Sequence, residues 1–158
     1  VERVDWPNPG RPGRWAKVNL DKWSPFDQAL YLDADTRIHG DLSAGFDALE
    51  NGFDIAIVPS KWQGRPLHHL MEDERAVTLA ELGDSRPLMY NSGVIYWRRS
   101  ERTARLFDVW AEEWRRWEQH DQGALMRALE RSPVRVWVLG SAFNGGGVVE
   151  HLFGRAKQ

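Results

Sequence analysis

The sequence predicts a layered α/β domain, and three observations carry that prediction. Apolar runs of strand length occur at residues 28–32, 55–58, 94–97 and 134–139. Segments with helical periodicity stand between them, and such alternation argues for a layered α/β architecture. The chain has 158 residues, which fits one domain large enough to bury a real core.

Taken in order, residues 1–13 hold Pro7, Pro9, Gly10, Pro12 and Gly13, which block both helix and interior strand. Residues 1–14 therefore read as a linker or loop, and 15–158 as the domain. Residues 15–23 are compatible with a helix, which Ser24-Pro25 stops before the first strand at 28–32. Asp41 can cap a short helix in which Leu42, Phe46 and Leu49 recur at helical spacing. The run Ile55-Ala56-Ile57-Val58 reads as a strand buried on both faces.

From 59 to 87 the chain turns polar, with paired His68 and His69 and a helix expected at about 70–82, bounded by Gly83. The sequence Asn91-Ser92-Gly93 reads as a turn entering the strand at 94–97. Residues 101–118 give the clearest helix: Phe107, Trp110, Trp114 and Trp117 repeat at three- and four-residue steps, with charged residues on the other faces. These aromatics are expected to face the core. Asp121 sits where an N-cap would open a helix through Glu130, and Pro133 precedes the last strand.

Bulk charge narrows the function. Twenty-one basic and 23 acidic residues give a formal charge of −2, so no global field favours nucleic acid or an anionic membrane. Any anion binding must be local. The absence of cysteine excludes disulfides, thiolate metal sites and cysteine nucleophiles, and fits a reducing compartment. No apolar run approaches the roughly 20 residues of a membrane span, and the start is not a signal peptide. A cytoplasmic location is the expectation. Nine tryptophans are many for this length, and serve either as core fillers or as flat faces for sugars and bases.

The segment with most chemical content is Ala29-Leu30-Tyr31-Leu32-Asp33-Ala34-Asp35-Thr36. A strand that ends in Asp-x-Asp delivers two carboxylates to the rim of a sheet, where they can hold a hard divalent cation through oxygen. The bland alternative is a strand followed by an Asx-type turn.

The order of five blocks favours the first reading. Lys17 in Trp15-Ala16-Lys17-Val18-Asn19-Leu20 is followed by Asp33-Ala34-Asp35-Thr36, Asn91-Ser92-Gly93-Val94, Asp121-Gln122-Gly123, and finally His151-x-x-Gly154-x-x-Lys157. This succession resembles the glycogenin-like, retaining family of glycosyltransferases with the GT-A fold, covers nearly the whole chain, and implies a mixed sheet flanked by helices. The resemblance implies that Asp33, Asp35 and His151 are ligands of Mn²⁺ or Mg²⁺, with the imidazole favouring Mn²⁺ somewhat. It implies that Lys17, Asp33, Asn91, Ser92, Gly93, Gly154 and Lys157 meet the donor. Gly154 would let backbone approach the diphosphate and Lys157 would neutralise it. Asp121 and Gln122 match the pair facing the anomeric carbon and are the implied catalytic residues.

The implied reaction moves a sugar from a nucleotide-diphosphate donor, in the first instance a UDP-sugar, to an acceptor hydroxyl with retention. The acceptor would be a glycan, a protein or a small molecule, with self-association compatible and neither nucleic acid nor membrane as a partner. Relatives carry an N-terminal nucleotide-binding segment ahead of the lysine that Lys17 matches, whereas here sixteen residues precede it. The expectation is a GT-A-like domain truncated at its N-terminus, or one whose base recognition is lost or supplied by another subunit. Two other classes remain open: a non-catalytic binder of sugar-nucleotides or glycans, and a nucleotidyltransferase, for which Gly10-Arg11-Pro12-Gly13 is a poor glycine-rich loop. Acceptor contacts are expected in the polar region 59–87 and on exposed tryptophans, with Trp62 and Trp97 as the candidates.

Overall fold

The computed structural model describes residues 13–84 and 86–153. Residues 1–12 of the expected 1–14 linker, and the donor roles of Gly154 and Lys157, lie outside these residues, while Gly13 and Arg14, expected in that linker, open a helix. Seven helices and six strands follow in the order α1 (Gly13–Lys17), α2 (Leu20–Trp23), β1 (Gln28–Leu32), β2 (Thr36–Ile38), α3 (Ser43–Glu50), β3 (Ile55–Pro59), α4 (Glu72–Leu82), β4 (Tyr90–Arg98), α5 (Glu101–Arg115), α6 (Asp121–Arg131), β5 (Val136–Val138), α7 (Ala142–Gly145) and β6 (Val149–His151), counted among the described residues. None of the helices is long and apolar enough to cross a membrane.

Four strands form a mixed sheet in the order β1-β4-β3-β5. β4 runs antiparallel to β1 and β3, and β3 runs parallel to β5. Alternation along the strands sorts their side chains into two layers. Ile55, Ile57, Ile95 and Trp97 pack with Phe107, Trp110 and Trp114 of α5 and Leu125 of α6. Ala56, Val58, Val94 and Tyr96 pack on the other face with Leu49 of α3, Leu139, Phe143 and Val149. The uninterrupted apolar run of β3 follows from this, since helices cover both of its faces.

Several local expectations need correction. The helix expected at 15–23 is two short helices separated by a turn at Val18-Asn19. Asn91-Ser92-Gly93 is not a turn but part of β4, whose register against β3 shifts between Ile57 and Val58, a bulge that absorbs the extra residues. Asp121 is not the N-cap of α6. His120 holds that position without a side-chain cap bond, because the Asp121 carboxylate is taken up by Lys17 and Ser92. Trp97 is 4% exposed and belongs to the core, whereas Trp62 is 57% exposed.

α5 begins as its sequence allows, with a capping box in which Ser100 and Thr103 exchange side-chain and backbone bonds. α4 ends at Gly83, whose φ of +64° is the left-handed conformation glycine adopts without a Cβ penalty. A separate two-stranded ribbon, β2 with β6, pairs Thr36 with His151. That pairing brings the end of the described chain beside the Asp-x-Asp turn.

Candidate functional site

β1 delivers the site by its alternation. Tyr31 and Asp33 project to the same side, and the Tyr31 hydroxyl donates to Asp33 Oδ1 at 2.9 Å. Burial, and then the neighbouring Asp33 carboxylate, push the Tyr31 hydroxyl far above its ordinary pKa, so it stays a proton donor. The turn after β1 is pinned through backbone: Asp33 N–H donates to Gly93 O at 2.9 Å, and the Thr36 hydroxyl and N–H both donate to Asp33 O. Leu152 N–H donates to Asp35 O at 2.8 Å, which fastens the last strand to the same turn.

The β2–β6 ribbon then sets His151 against the two aspartates. His151 Nε2 lies 3.1 Å from Asp35 Oδ1 and 3.6 Å from Asp33 Oδ2. One ligand atom from each of Asp33, Asp35 and His151 falls within 4.8 Å of the others, the one such group of three among the described residues. The ring of Phe153 stacks on that of His151 at 4.3 Å and 4°, which fixes the imidazole plane. Gly93 faces the triad. A Cβ there would stand 2.6 Å from Asp33 Oδ2, 2.9 Å from Asn91 Oδ1, and on top of His151 Cε1. The three donors thus converge on a cradle kept open by a missing side chain. Two carboxylates and one imidazole suit a hard or borderline divalent cation such as Mn²⁺ or Mg²⁺, and these residues fit one.

Lys17 joins this group to a second carboxylate. Its Nζ lies 2.9 Å from Asp33 Oδ1 and 3.0 Å from Asp121 Oδ2, and its side chain is buried, so it is not a solvated helix lysine. Asp121 also accepts from the Ser92 hydroxyl at 2.5 Å, lies 3.5 Å from Arg14 Nε, and offers its backbone carbonyl to Trp110 Nε1 at 2.8 Å. Burial raises the pKa of Asp121, but Lys17 and the Ser92 hydroxyl outweigh it, and the carboxyl stays ionised below its usual range.

A cavity of about 260 Å³ opens over these groups. Lys17, Asp33, Asp35, Asn91, Ser92, Asp121, Gln122 and His151 all line it. Gly93 floors the cradle beside it. Every described residue that the sequence nominated for metal, donor or catalytic roles is therefore gathered in one place, whereas Trp97, nominated for the acceptor, lies in the core. What the sequence did not single out as a unit is the far wall, made of Trp62, His68, His69 and His120. The His68-His69 pair was visible, but nothing local links it to His120. Larger cavities among the described residues lack comparable chemistry, and two of them show why. One, about 380 Å³, is bordered by Arg116, Arg127 and Arg131 with their glutamates, and the other, about 520 Å³, by Trp23, Phe26, Leu30 and other largely apolar side chains.

Comparison with known proteins is consistent with this arrangement. The family model described as nucleotide-diphospho-sugar transferase matches residues 28–149. No curated protein sequence matches significantly. Among solved structures, the chain is similar to the galactosyltransferase LgtC in complex with donor and acceptor sugar analogues, and to an active-site mutant of LgtC. In both cases the TM-score is 0.57 and the identity 18%, over 82% of this chain and 45% of the other. The glycosyltransferase GlyE of Streptococcus pneumoniae TIGR4 is similar with a TM-score of 0.51 and 20% identity, over 82% of this chain and 28% of that one. The chain thus spans less than half the length of these proteins, and at such identities the likeness shows the fold.

Proposed function

Because the chain belongs to the nucleotide-diphospho-sugar transferase family, we propose that it moves a sugar from a nucleotide-diphosphate donor, in the first instance a UDP-sugar, to an acceptor hydroxyl with retention at the anomeric carbon. The observation that carries this reading is the cradle of Asp33, Asp35 and His151, held open by Gly93 and sharing a cavity with Asp121. A divalent cation bound there would supply positive charge against the negative charge that grows on a departing diphosphate.

The remaining roles belong to the chain itself. Tyr31 and Lys17 occupy Asp33 Oδ1, which leaves Oδ2 turned toward His151 and the centre of the cradle. Phe153 holds the imidazole in plane, as an outer-shell contact does in metal sites. Asn91 accepts the Gly93 N–H through Oδ1, keeping the bulged backbone in place, and Ser92 orients Asp121.

Asp121 is the carboxylate for the sugar. A glycosyl centre passing through an oxocarbenium-like state is stabilised by a nearby anion. Asp121 remains ionised yet is balanced by Lys17 and Arg14, which favours shielding the cation over attacking it as a nucleophile. Gln122, next in α6 and lining the cavity, orients the sugar. The family match favours sugar transfer over nucleotidyl transfer.

Mn²⁺-dependent hydrolysis of UDP-glucose and UDP-galactose tests the proposal without needing the acceptor. Release of UDP by the wild-type chain and its loss in Asp35→Ala are expected. Undiminished turnover in the variant would sink the metal reading, and calorimetric binding of the donor with no turnover would leave a binding protein in place of an enzyme.

A further inference from the structure

We propose that Trp62, His68, His69 and His120 form the acceptor subsite of this cavity, and that the subsite takes an uncharged, hydroxyl-rich ring, a neutral sugar, in preference to an acidic one. The inference rests on the transfer reading above, since the wall shares its cavity with the triad and Asp121.

The wall is a built feature. Four rings follow one another edge to face, with centroids 5.5 Å apart for Trp62–His68, 5.5 Å for His68–His69 and 5.2 Å for His69–His120. The loop that carries the first three is clamped by Gln63, whose amide donates to Ser60 O at 2.9 Å and Met89 O at 2.6 Å and accepts from Met89 N–H at 3.0 Å. Leu67 anchors the same loop in a small cluster with Leu70, Met89 and Met126.

Strain is concentrated at the same place. Three non-glycine residues among those described have positive φ: Leu67 at +56°, Glu118 at +52° and Phe153 at +50°. Leu67 directly precedes His68, Glu118 lies two residues before His120, and Phe153 lines the cavity itself. Left-handed backbone at such residues is costly and gathers at ligand clamps. His69 adds to the cost, because its Nε2 is buried with no hydrogen-bond partner. A loop selected for stability alone has no use for these features.

Charge selects the ligand. Of the two cationic side chains lining the cavity, Lys17 is held between Asp33 and Asp121 and Arg14 turns its Nε toward Asp121 at 3.5 Å, so the positive charge is directed at the cavity's own carboxylates. Burial and the neighbouring imidazoles of His120 and His68, with Arg14, lower the pKa of His69 to about 4 against the pull of Asp121. Burial and then Arg14 lower that of His120. The inner wall is thus neutral at pH 7 and offers ring faces with few formal charges. Trp62, more than half exposed at the mouth, presents an indole face of the kind on which a sugar ring stacks.

The test uses saturation-transfer NMR on the full chain with Mn²⁺, titrating methyl β-galactoside, methyl β-glucoside and the matching methyl glucuronide. The neutral glycosides are expected to bind at least 10-fold more tightly than the glucuronide. Trp62→Ala should weaken the neutral glycosides by 10-fold or more and Trp62→Phe by less, both with Mn²⁺ affinity unchanged. Equal binding of neutral and acidic glycosides, or unaltered binding in Trp62→Ala, would overturn the assignment. If wild-type chain still hydrolyses UDP-galactose with Mn²⁺ in that case, the acceptor inference alone fails; if hydrolysis is also absent, the transfer reading fails with it.

Discussion

Two groups of buried charge among the described residues are built on opposite plans. Between α4, α5 and α6, Arg127 is inserted with its Nε 2.8 Å from Glu113 Oε2, and it also reaches Thr78 and Glu74. Arg116 takes Glu113 Oε2 at 2.7 Å, and Arg131 takes Oε1. Both oxygens of Glu113 are therefore consumed by guanidinium groups, and its pKa falls despite burial. At the cavity the design differs. Asp33 spends one oxygen on Lys17 and Tyr31 and turns the other toward His151 across 3.6 Å, too long for a hydrogen bond. Where Glu113 closes on its partners, Asp33 is oriented by its partners and left with capacity. A buried carboxylate with both oxygens paired, as in Glu113, ties helices together, and one that keeps an oxygen facing an open cradle, as in Asp33, is poised for a ligand.

The contrast can be broken by experiment at either end. The largest effect should come from Arg127→Ala, which leaves Glu74 in the interior without its guanidinium partner and Glu113 with one fewer. Breaking a buried pair costs about 3–5 kcal/mol, and at roughly 2–4 °C per kcal/mol for a chain of this size the melting temperature should drop by about 6–20 °C. Calorimetry should show that drop, while the Mn²⁺ affinity of the chain that remains folded is unchanged. A variant that melted normally but lost Mn²⁺ would erase the distinction between the clusters.

Gly93→Ala should do the converse. The new methyl group meets His151, Asp33 and Asn91, and disturbing groups that orient metal ligands costs about 10- to 100-fold in affinity. Isothermal titration with Mn²⁺ reads the loss, and thermal unfolding should show a smaller change than Arg127→Ala produces.

The smallest effect is a pH dependence located in the histidine wall. His69 titrates at about 4 in the folded chain against an ordinary 6.5. The unfolded chain therefore binds the proton first as pH falls. The stability contributed by neutral His69 is intact above about 6.5, declines as pH drops from there toward 4, and is gone below. Its partial exposure keeps the amplitude modest. The urea midpoint of wild type should fall relative to that of His69→Gln between pH 7 and pH 5 if this is right, and the difference between them should stay constant if it is not.

How much of this was legible in the sequence depended on the range of the cause. β1 and β3 could be read from apolar runs and α5 from its aromatic period, because burial on a face leaves a local pattern. β2 and β6 left none. Each has three residues and exists only because Thr36, Arg37 and Ile38 meet His151, Glu150 and Val149 from the far end of the chain. The cap expected of Asp121 failed for a related reason: Lys17 and Ser92, remote in sequence, claimed its carboxylate.

The candidate site was more legible than its surroundings. Asp33, Asp35, Asn91, Asp121 and His151 stand in blocks whose order could be read from the sequence, and all five line one cavity. The far wall had no such signature. Its rings come from two loops brought together by packing remote in sequence, with Leu70 against Gly123 and Leu67 and Leu70 in one cluster with Met126 of α6.

The most direct test of the central claim is a Mn²⁺ titration followed by electron paramagnetic resonance on wild type, Asp35→Ala and Glu113→Gln. One bound Mn²⁺ per chain is expected in wild type and in Glu113→Gln, and none in Asp35→Ala at the same concentrations. Equal binding by wild type and Asp35→Ala would contradict the account, because the open cradle would then not be where the metal goes.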